Sequence, residues 1–237
     1  MKRLDCFLFE KGYYPSREKA KEAIISARVK VNGKVMTKPA YTAEDSAQIE
    51  ALPFEFVSRG GFKLQKALEE FKVDLKGKIV VDIGASTGGF TDVCLKNGAK
   101  KVYAIDTGTD QLAESLRKDK RVVSLENTNY LTFDKSNFLD ADIAVVDVSF
   151  VSLTKFAEKL SKDFNEIIAL VNPQFECGKD YAKKHKGVVK DEKMHEKILK
   201  DITFVFSSVG FTLSPIIPSP ILGGDGNKEF LLHAVKR

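Results

Sequence analysis

The first fifty residues contain two segments with apolar residues at helical spacing and one segment in which apolar and polar residues alternate. Apolar residues recur at helical spacing over residues 4–8 and 20–25, and Ser16 stands where a helix N-cap is expected. Residues 29–35 then alternate apolar and polar positions around an Asn-Gly pair, which favours the positive φ angles of a tight hairpin turn. The pattern predicts a small α+β unit of two short helices followed by a hairpin.

The rest of the chain alternates short apolar runs with helical periods. Seven runs have the length and composition of strands: residues 79–84, 101–106, 122–125, 142–146, 166–171, 212–217 and 229–235. Helical patterns separate most of them, at residues 112–116, 155–160 and 193–209. The last two strands flank a glycine-rich turn with no helix between them, so we expect an antiparallel hairpin at the sheet edge. The fold class is therefore α/β, a Rossmann-like seven-stranded sheet behind a small α+β domain.

A proline-containing connection separates the two parts. Residues 51–56 include Pro53, and the helical pattern of the larger part begins soon after them. We predict a domain over residues 1–50, a linker over 51–56 and a second domain over 57–237. A length of 237 residues fits one full-size domain with a small appendage.

Charge is distributed unevenly along the chain. The net charge is +5, but residues 1–40 hold ten Lys and Arg against four acids, so the remaining residues sum to −1. We expect the first domain to present a positive face that neutralises phosphates of RNA, the alternative being an ordinary solvated face. The candidate RNA-binding residues are Arg3, Arg17, Lys19, Lys21, Arg28, Lys30, Lys34 and, in the second domain, Arg59.

Composition narrows the class of protein. With 43% hydrophobic and 30% charged residues, the chain fits a globular protein and excludes disordered and collagen-like classes. Its three cysteines form no C-x-x-C pair, so a disulfide framework or zinc knuckle is not expected, and its three histidines share no ligand spacing, so no metal site is expected. No apolar run approaches the roughly 20 residues of a membrane helix, and no signal-peptide core is present. We expect a cytoplasmic protein without a membrane partner.

A glycine turn follows the first strand of the larger domain. The pattern D-x-G-x-x-x-G-G differs from the G-x-G-x-x-G of dinucleotide sites, and the next strand ends in Asp106, which is placed to accept hydrogen bonds from a ribose. The alternative for Asp106 is a helix N-cap. Loop and acid together predict a nucleoside-bearing cofactor, and the loop resembles motif I of S-adenosyl-L-methionine-dependent methyltransferases. The candidate cofactor-binding residues are Asp82, Gly84, Ala85, Ser86, Thr87, Gly88, Gly89, Phe90, Asp106, Asn127, Thr128 and Asp147.

Three charged residues are expected at the mouth of the same cleft. Lys63 lies on the helical stretch upstream of the glycine loop, Asp147 ends the fourth strand and Glu229 begins the last. A ribose hydroxyl is weakly acidic, and a methyl acceptor of that kind needs a cation or a base beside it. The alternatives to a catalytic role are that the lysine only contacts solvent and that the two acids only cap strand ends.

Several motifs together carry a resemblance to a known family. Residues 2 to about 50 resemble the S4 RNA-binding module, with two departures: Ala27 stands where glycine is frequent, and residues 44–46 replace the usual Gly-Asp before the closing strand. This module is followed, in order, by the motifs SRGGFKL, VVDIGASTGGFTD, AIDTGTDQL, VVDVSF, NPQFE and GNKEFLL. The module and these motifs together make the whole chain similar to the TlyA family. These are ribosomal RNA 2′-O-methyltransferases, historically called hemolysins, with an FtsJ-like catalytic domain.

The resemblance implies an activity and one doubtful position. It implies transfer of a methyl group from S-adenosyl-L-methionine to cytidine riboses of ribosomal RNA or ribosomal subunits, with no obligate metal. It also implies a catalytic set of Lys63, Asp147, residue 172 and Glu229, but the family's lysine at position 172 is Asn172 here. A neutral amide does not stabilise a developing alkoxide as a cation does, which costs roughly 3 kcal/mol. A lysine from the following loop, Lys179 or Lys186, is a possible substitute.

Two alternatives remain beside that function. The run Asn-Pro-Gln-Phe at 172–175 is similar to the N-P-P-Y/F loop of amino-group methyltransferases, although that loop follows the fourth strand. A second alternative is an RNA-binding, ribosome-associated protein with a vestigial methyltransferase domain.

Residues 177–200 carry eight lysines against four acids, which predicts a flap that contacts RNA or, alternatively, a solvated loop.

Overall fold

The computed structural model describes residues 2–14, 16–53, 55–138, 140–185 and 187–236, apart from the side chains of residues 135, 137 and 179. The chain divides into two compact units, Met1–Glu55 and Phe56–Arg237. Each has its own hydrophobic core, and each is described by itself.

The described residues of the first unit form two helices and five short strands. In chain order these are β1 (Lys2–Arg3), α1 (Leu4–Glu10), α2 (Arg17–Ile25), β2 (Val29–Val31), β3 (Lys34–Met36), β4 (Thr42–Ala43) and β5 (Ile49–Ala51). The predicted N-cap is confirmed, because the Ser16 hydroxyl accepts the Lys19 amide at 3.1 Å. Strand β2 lies between β3 and β5, and apolar residues of both helices close a small core against it.

Two turns of this unit follow from backbone conformation. Asn32 and Gly33 have φ angles of 51° and 75°, as the predicted hairpin between β2 and β3 requires. Ala27 has a φ of 57°, so the position where the S4 module often has glycine is left-handed here as well, despite its Cβ. The closing strand forms after residues 44–46, with Ala51 paired to Val29.

The second unit is a sheet with helices on both faces. Its helices are α3 (Gly61–Phe71), α4 (Gly89–Lys96), α5 (Glu114–Arg117), α6 (Ala157–Asp163), α7 (Pro173–Glu176), α8 (Lys179–Lys184) and α9 (Glu192–Ser208), with 3₁₀ turns at Lys135–Phe138 and Leu153–Phe156. Its strands are β6 (Ile79–Ile83), β7 (Lys101–Ile105), β8 (Val122–Leu125), β9 (Ile143–Val146), β10 (Glu166–Val171), β11 (Phe211–Leu213), β12 (Ile217–Pro218) and β13 (Phe230–Lys236). These elements confirm the α/β class.

The sheet order is β11-β13-β10-β9-β6-β7-β8, with β12 also paired to β13. Strands β6 to β10 run parallel, and β13 is antiparallel to β10, β11 and β12, so the hairpin predicted at the sheet edge is confirmed. The sequence predicted one strand over residues 212–217, but the structure has two, because the chain leaves β13 between Leu213 and Ile217. The sheet therefore keeps seven strand positions while containing eight strands.

Strand direction determines which loops meet. The carboxyl ends of parallel strands lie on one edge, so the loops after β6, β7, β9 and β10 emerge together. Val171 pairs with Phe230, so the residue before β13 lies at this same edge. Alternate residues of β6 enter the cores on opposite faces, Val80 on one side and Val81 and Ile83 on the other. Polar side chains that follow these strands are thereby gathered above a rigid apolar base.

Candidate active site

The turn between β6 and α4 depends on two glycines in left-handed backbone. At Gly84 (φ 86°) an added Cβ would lie 2.3 Å from the Asp147 carbonyl oxygen. At Gly88 (φ 94°) it would lie 2.3 Å from a Leu116 methyl carbon. Any side chain at either position would both strain the backbone and collide, so glycine is what allows the loop to pass close to the end of β9.

Two adjoining cavities lie at the carboxyl edge of the sheet. The first encloses about 280 Å³ and the second about 380 Å³, and they share Gly84, Ser86, Asp147 and Ser149. The shared residues place the two cavities side by side, and together they are called the cleft. The first is also lined by Ile83, Ile105, Asp106, Thr107, Gln111, Thr128, Asn129, Tyr130, Val148, Phe150 and Phe156. The second is also lined by Ser58, Arg59, Gly60, Lys63, Ala85, Thr87, Gly89 and Phe90.

Most of the residues predicted to bind a cofactor line this cleft. Nine of the twelve do so, and Asp82, Gly88 and Asn127 do not. The sequence analysis did not select several lining residues, among them Thr107, Gln111, Asn129, Tyr130 and Phe150. They directly follow strand ends or precede a short helix, and that position was the available signal for them.

Asp106 is hydrogen-bonded to the glycine turn. One carboxylate oxygen accepts the Ser86 amide at 2.8 Å and the other accepts the Gly108 amide at 2.7 Å. The second bond joins residues two apart, so it closes a local turn, and the next helix begins only at Glu114. The carboxylate therefore fixes the loop while lining the cavity, and each oxygen retains capacity for a further donor.

Asp82 has a different environment from the other acids of the loop. Its side chain is fully buried, and one oxygen accepts the Thr91 hydroxyl at 2.6 Å. No described residue hydrogen-bonds the other oxygen. Burial raises the pKa of Asp82 to about 7, against the Thr91 hydrogen bond and assisted by the charges of Asp147 and Asp106. Asp82 therefore supports the loop from below the cleft.

The four predicted catalytic residues form one cluster. The Lys63 ammonium lies 2.7 Å from a Glu229 oxygen and 3.9 Å from an Asp147 oxygen. The Asn172 amide nitrogen donates to the other Glu229 oxygen at 3.1 Å. Lys63 and Glu229 are buried, and Asp147 is half-buried at the junction of the two cavities. Burial raises the pKa of both Asp147 and Glu229, and the Lys63 charge opposes each rise.

Asn172 uses both ends of its side-chain amide. While its nitrogen contacts Glu229, its oxygen accepts the Gln174 amide at 3.1 Å and so caps α7, with Pro173 in the first helical position. The cluster then holds two carboxylates against one ammonium, a formal charge of −1 when all three are ionised. The two lysines predicted as substitutes are not placed here: Lys186 and the Lys179 side chain lie outside the described residues.

Buried polar contacts hold the loops around this cluster. Glu176 of α7 accepts the Ser152 hydroxyl at 2.6 Å and the Leu153 amide at 2.7 Å, which joins α7 to the loop after β9. Asn227 accepts the Val189 amide at 2.8 Å and donates to the Gly187 carbonyl at 2.9 Å. Neither residue was selected from the sequence. Glu176 ends a short helix and Asn227 lies in a loop, and their contacts fix the neighbouring loops relative to the cleft.

Comparison with known proteins decides the family. Residues 56–236 match the model of FtsJ-like methyltransferases, and residues 2–49 match the S4 domain. The 16S/23S rRNA (cytidine-2′-O)-methyltransferase TlyA of Mycobacterium tuberculosis is 37% identical over 97% of this chain and 88% of its own. The chain belongs to the TlyA family.

Other members of the TlyA family are similarly close. YqxC of Bacillus subtilis is 44% identical over 98% of this chain and 84% of its own length. A solved structure from Streptococcus thermophilus that carries the hemolysin name is 40% identical, with a TM-score of 0.77 over 99% of this chain and 88% of that one. The family predicted from the sequence is confirmed, including both of its domains.

The S4 domain holds its predicted RNA-binding cations in different ways. Arg3 and Arg17 both donate to the buried Asp5 carboxylate, at 3.0 Å and 3.1 Å from Nε, and about half of each side chain remains exposed. Lys19 pairs with Glu22, Lys30 pairs with Glu50, and Arg28 donates to a backbone carbonyl. Lys21 and Lys34 are exposed. Asp5 thus places two guanidinium groups side by side at the surface.

Asp5→Asn is expected to destabilise the S4 domain by about 2 kcal/mol at pH 7, because two partly buried charge-assisted interactions of a buried carboxylate are weakened. The two guanidinium groups hold the pKa of Asp5 well below its usual range. The stabilisation is therefore complete above the pKa of the unfolded chain, about 3.9, and is lost as the pH falls further. Hydrogen–deuterium exchange of the β2 amides at several pH values measures it. Asp45→Asn, at an exposed site, is the control, and an equal effect of both substitutions would contradict the role of Asp5.

Two further observations concern a membrane and a metal ion. Among the described residues, no helix has the length and apolarity to cross a membrane. Within the same residues, no group of three or more His, Cys, Asp and Glu side chains is arranged to hold a metal ion.

Proposed function

We propose that this chain is an S-adenosyl-L-methionine-dependent 2′-O-methyltransferase that acts on ribosomal RNA. The observation that carries the proposal is the position of Asp147, whose side chain lies at the junction of two cavities and beside the Lys63 ammonium. One cavity then serves the cofactor and the other the acceptor, with an acid and a cation where they meet. The names of the relatives, which include rRNA (cytidine-2′-O)-methyltransferases, support cytidine ribose as the acceptor.

The first cavity has the features that the nucleoside part of the cofactor needs. Asp106 and Thr128 provide acceptors and a hydroxyl for the ribose, and Tyr130 and Phe156 add apolar wall. The left-handed Gly84 keeps side-chain atoms out of the turn, so a ligand can approach the backbone closely. When bound there, S-adenosyl-L-methionine supplies a methyl group on a sulfonium centre.

The second cavity supplies the chemistry at the acceptor. Asp147 accepts the proton of the ribose hydroxyl, because burial raises the pKa of its carboxyl and makes it a stronger base than an exposed aspartate. Lys63 places a positive charge beside the oxygen that develops negative charge. Glu229 holds the Lys63 ammonium at 2.7 Å, and Asn172 holds Glu229. The acceptor oxygen is thus oriented and deprotonated at one point.

An exposed aromatic side chain lies at the rim of the first cavity. Phe150 follows Asp147 by three residues, is 89% exposed and has a φ of 68°, which is unusual for a bulky residue. Its ring lies 5.5 Å from that of Phe175, centre to centre. The Glu176 contacts to Ser152 and Leu153 hold the segment that presents it. We assign Phe150 to stacking on a base of the RNA.

Phe150→Ala is expected to raise the KM for RNA about tenfold or more, since stacking of a base on an aromatic ring contributes about 1–3 kcal/mol. Affinity for S-adenosyl-L-methionine by calorimetry should change little. Phe204→Ala is a matched control, because Phe204 is 75% exposed on α9 and lines neither cavity of the cleft. The same KM for both variants would exclude a stacking role for Phe150.

Asn172→Lys is expected to accelerate methyl transfer about 100-fold. The new ammonium would add positive charge beside Glu229 in a cluster whose formal charge is −1, and such a group stabilises a developing oxyanion by about 3 kcal/mol. The cap of α7 would be lost, at about 1 kcal/mol of stability. Asn172→Ala also removes the cap but adds no charge, so it is the control for single-turnover rates. A lysine variant no faster than the parent would contradict this assignment of residue 172.

The proposed function is tested by methyl transfer to unmodified ribosomal RNA and to ribosomal subunits, comparing the parent chain with Lys63→Ala. Mass analysis of the nucleosides should place the methyl group on ribose, and Lys63→Ala should abolish its transfer. A methyl group on a base would favour the amino-group methyltransferase. In this structure, however, the side-chain oxygen of Asn172 already accepts the Gln174 amide and so caps α7. RNA and cofactor binding without transfer would favour a vestigial domain. The cytoplasmic location stays a prediction.

A further inference from the structure

The charge of the catalytic cluster is unbalanced for a site that receives RNA. Asp147 and Glu229 contribute two negative charges, and Lys63 contributes one positive charge. The fourth member, Asn172, is neutral and is fixed by hydrogen bonds at both ends of its amide. An acceptor nucleotide brings a further negative charge in its phosphate, so its approach to this cluster is electrostatically unfavourable without another cation.

Arg59 stands on the wall of the same cavity. It lines the second cavity together with Lys63 and Asp147. Its Nη2 atom lies 3.7 Å from the point where a Cβ on Gly224 would lie. A Cβ added to the adjacent residue, Gly223, would lie 2.5 Å from a Glu229 oxygen. Arg59 and Glu229 therefore contact neighbouring residues of one loop, and the guanidinium charge also opposes the rise in the pKa of Glu229.

The segment that carries Arg59 is anchored on both sides. The Val57 amide donates to Asp92 of α4 at 2.9 Å. The Ser58 hydroxyl lies against Gly89, where an added Cβ would approach it to 2.3 Å. Helix α3 starts at Gly61, and Lys63 is its third residue. These contacts hold the backbone of Arg59 at the cavity wall, which favours a positioned cation over a freely moving one.

We propose that Arg59 is the second cation of the acceptor site and binds the phosphate group adjoining the acceptor ribose. The inference rests on the proposed function and deepens it, since the sequence alone predicted only a general RNA contact for Arg59. A guanidinium suits this position because its planar fork binds a phosphate through two parallel hydrogen bonds, which an ammonium does not provide. With Arg59 the formal charge of the wall and cluster is zero before the phosphate enters.

The experiment is a double-mutant cycle between positions 59 and 172, measured as single-turnover methyl transfer at saturating unmodified ribosomal RNA. Arg59→Gln should lower the rate about 100-fold in the parent chain. In the Asn172→Lys background, where a second cation is already present, the same change should lower it less than about tenfold. The rate of Arg59→Lys should lie between those of the parent and Arg59→Gln, because lysine keeps the positive charge but lacks the planar guanidinium group. Arg121→Gln, which removes an arginine from an exposed pair with Asp119, is the matched control.

Each outcome decides one point. Equal losses of rate in both backgrounds, or a rate and a dissociation constant for RNA that both match the parent, would overturn the assignment of Arg59. The melting temperature and cofactor affinity of each Arg59 variant should match those of its own background, and a large drop in either for both Arg59 variants would also count against it. Failure of the proposed function is distinguishable, because then neither the parent chain nor Asn172→Lys transfers a methyl group to ribose.

Discussion

Asp147→Asn is expected to lower the single-turnover rate of methyl transfer about 1,000-fold while leaving the fold intact. The substitution removes the base at the junction of the two cavities, and general base catalysis contributes about 10²–10⁴-fold. It also removes one of two carboxylates that share a single ammonium, so the cluster loses its excess negative charge. The melting temperature should therefore be unchanged or higher, which separates loss of chemistry from loss of structure.

The pH dependence of the parent chain supplies a second measurement for the same residue. Asp147 must be ionised to accept a proton, and burial raises the pKa of its carboxyl. The rate should rise with pH through a value above the usual range of an aspartate, and this limb should be absent from the residual rate of Asp147→Asn. Asp201→Asn, on the exposed side of α9, is the control. A variant that retains the limb or most of the rate would exclude Asp147 as the base.

The position of the site could be predicted from the sequence because it depends on strand direction. Asp106, Asp147 and residue 172 each follow an apolar run that reads as a parallel strand, and parallel strands end on one edge. Their neighbourhood follows from topology alone. Glu229 needed one more step, the antiparallel pairing of β13 with β10. The absence of a helix before the last strand predicted only that the last two strands pair with each other.

The contacts within the site could not be predicted in the same way. Alternation along β6 places Asp82 on the same face as Val80, inside the core, yet the motif suggested a side chain facing the ligand. The hydrogen bond from Asn172 to Glu229 joins residues 57 apart, so it depends on how the segments before α7 and β13 approach each other. The cap bond to Gln174 is local. Asn227 and Glu176 are recognisable only once the loops they join are in place. Loop side chains lack the periodicity that reveals core residues.

Asp82→Asn is the complementary prediction, because it should change stability where Asp147→Asn changes rate. Asp82 is fully buried, and burial raises its pKa from 3.8 to about 7. Between these two values the folded chain retains a proton that the unfolded chain has lost, so the free energy of unfolding falls as the pH rises. The loss reaches the order of 4 kcal/mol near pH 7, at about 1.4 kcal/mol per pH unit.

The neutral asparagine does not titrate, so the variant should gain stability relative to the parent from pH 4 to pH 7. Urea unfolding of both chains across this range measures the difference, and other titrating groups cancel because both chains carry them. Thr91→Val is the matched control: it removes a hydrogen bond that lowers the pKa of Asp82 but leaves the carboxyl. The loss of stability with rising pH should therefore persist in this variant and extend to higher pH. A parent-to-variant difference that stays constant with pH would mean that Asp82 is ionised in the folded chain. The motif aspartate would then be a permanent negative charge beneath the cofactor loop, and its removal should weaken cofactor binding instead.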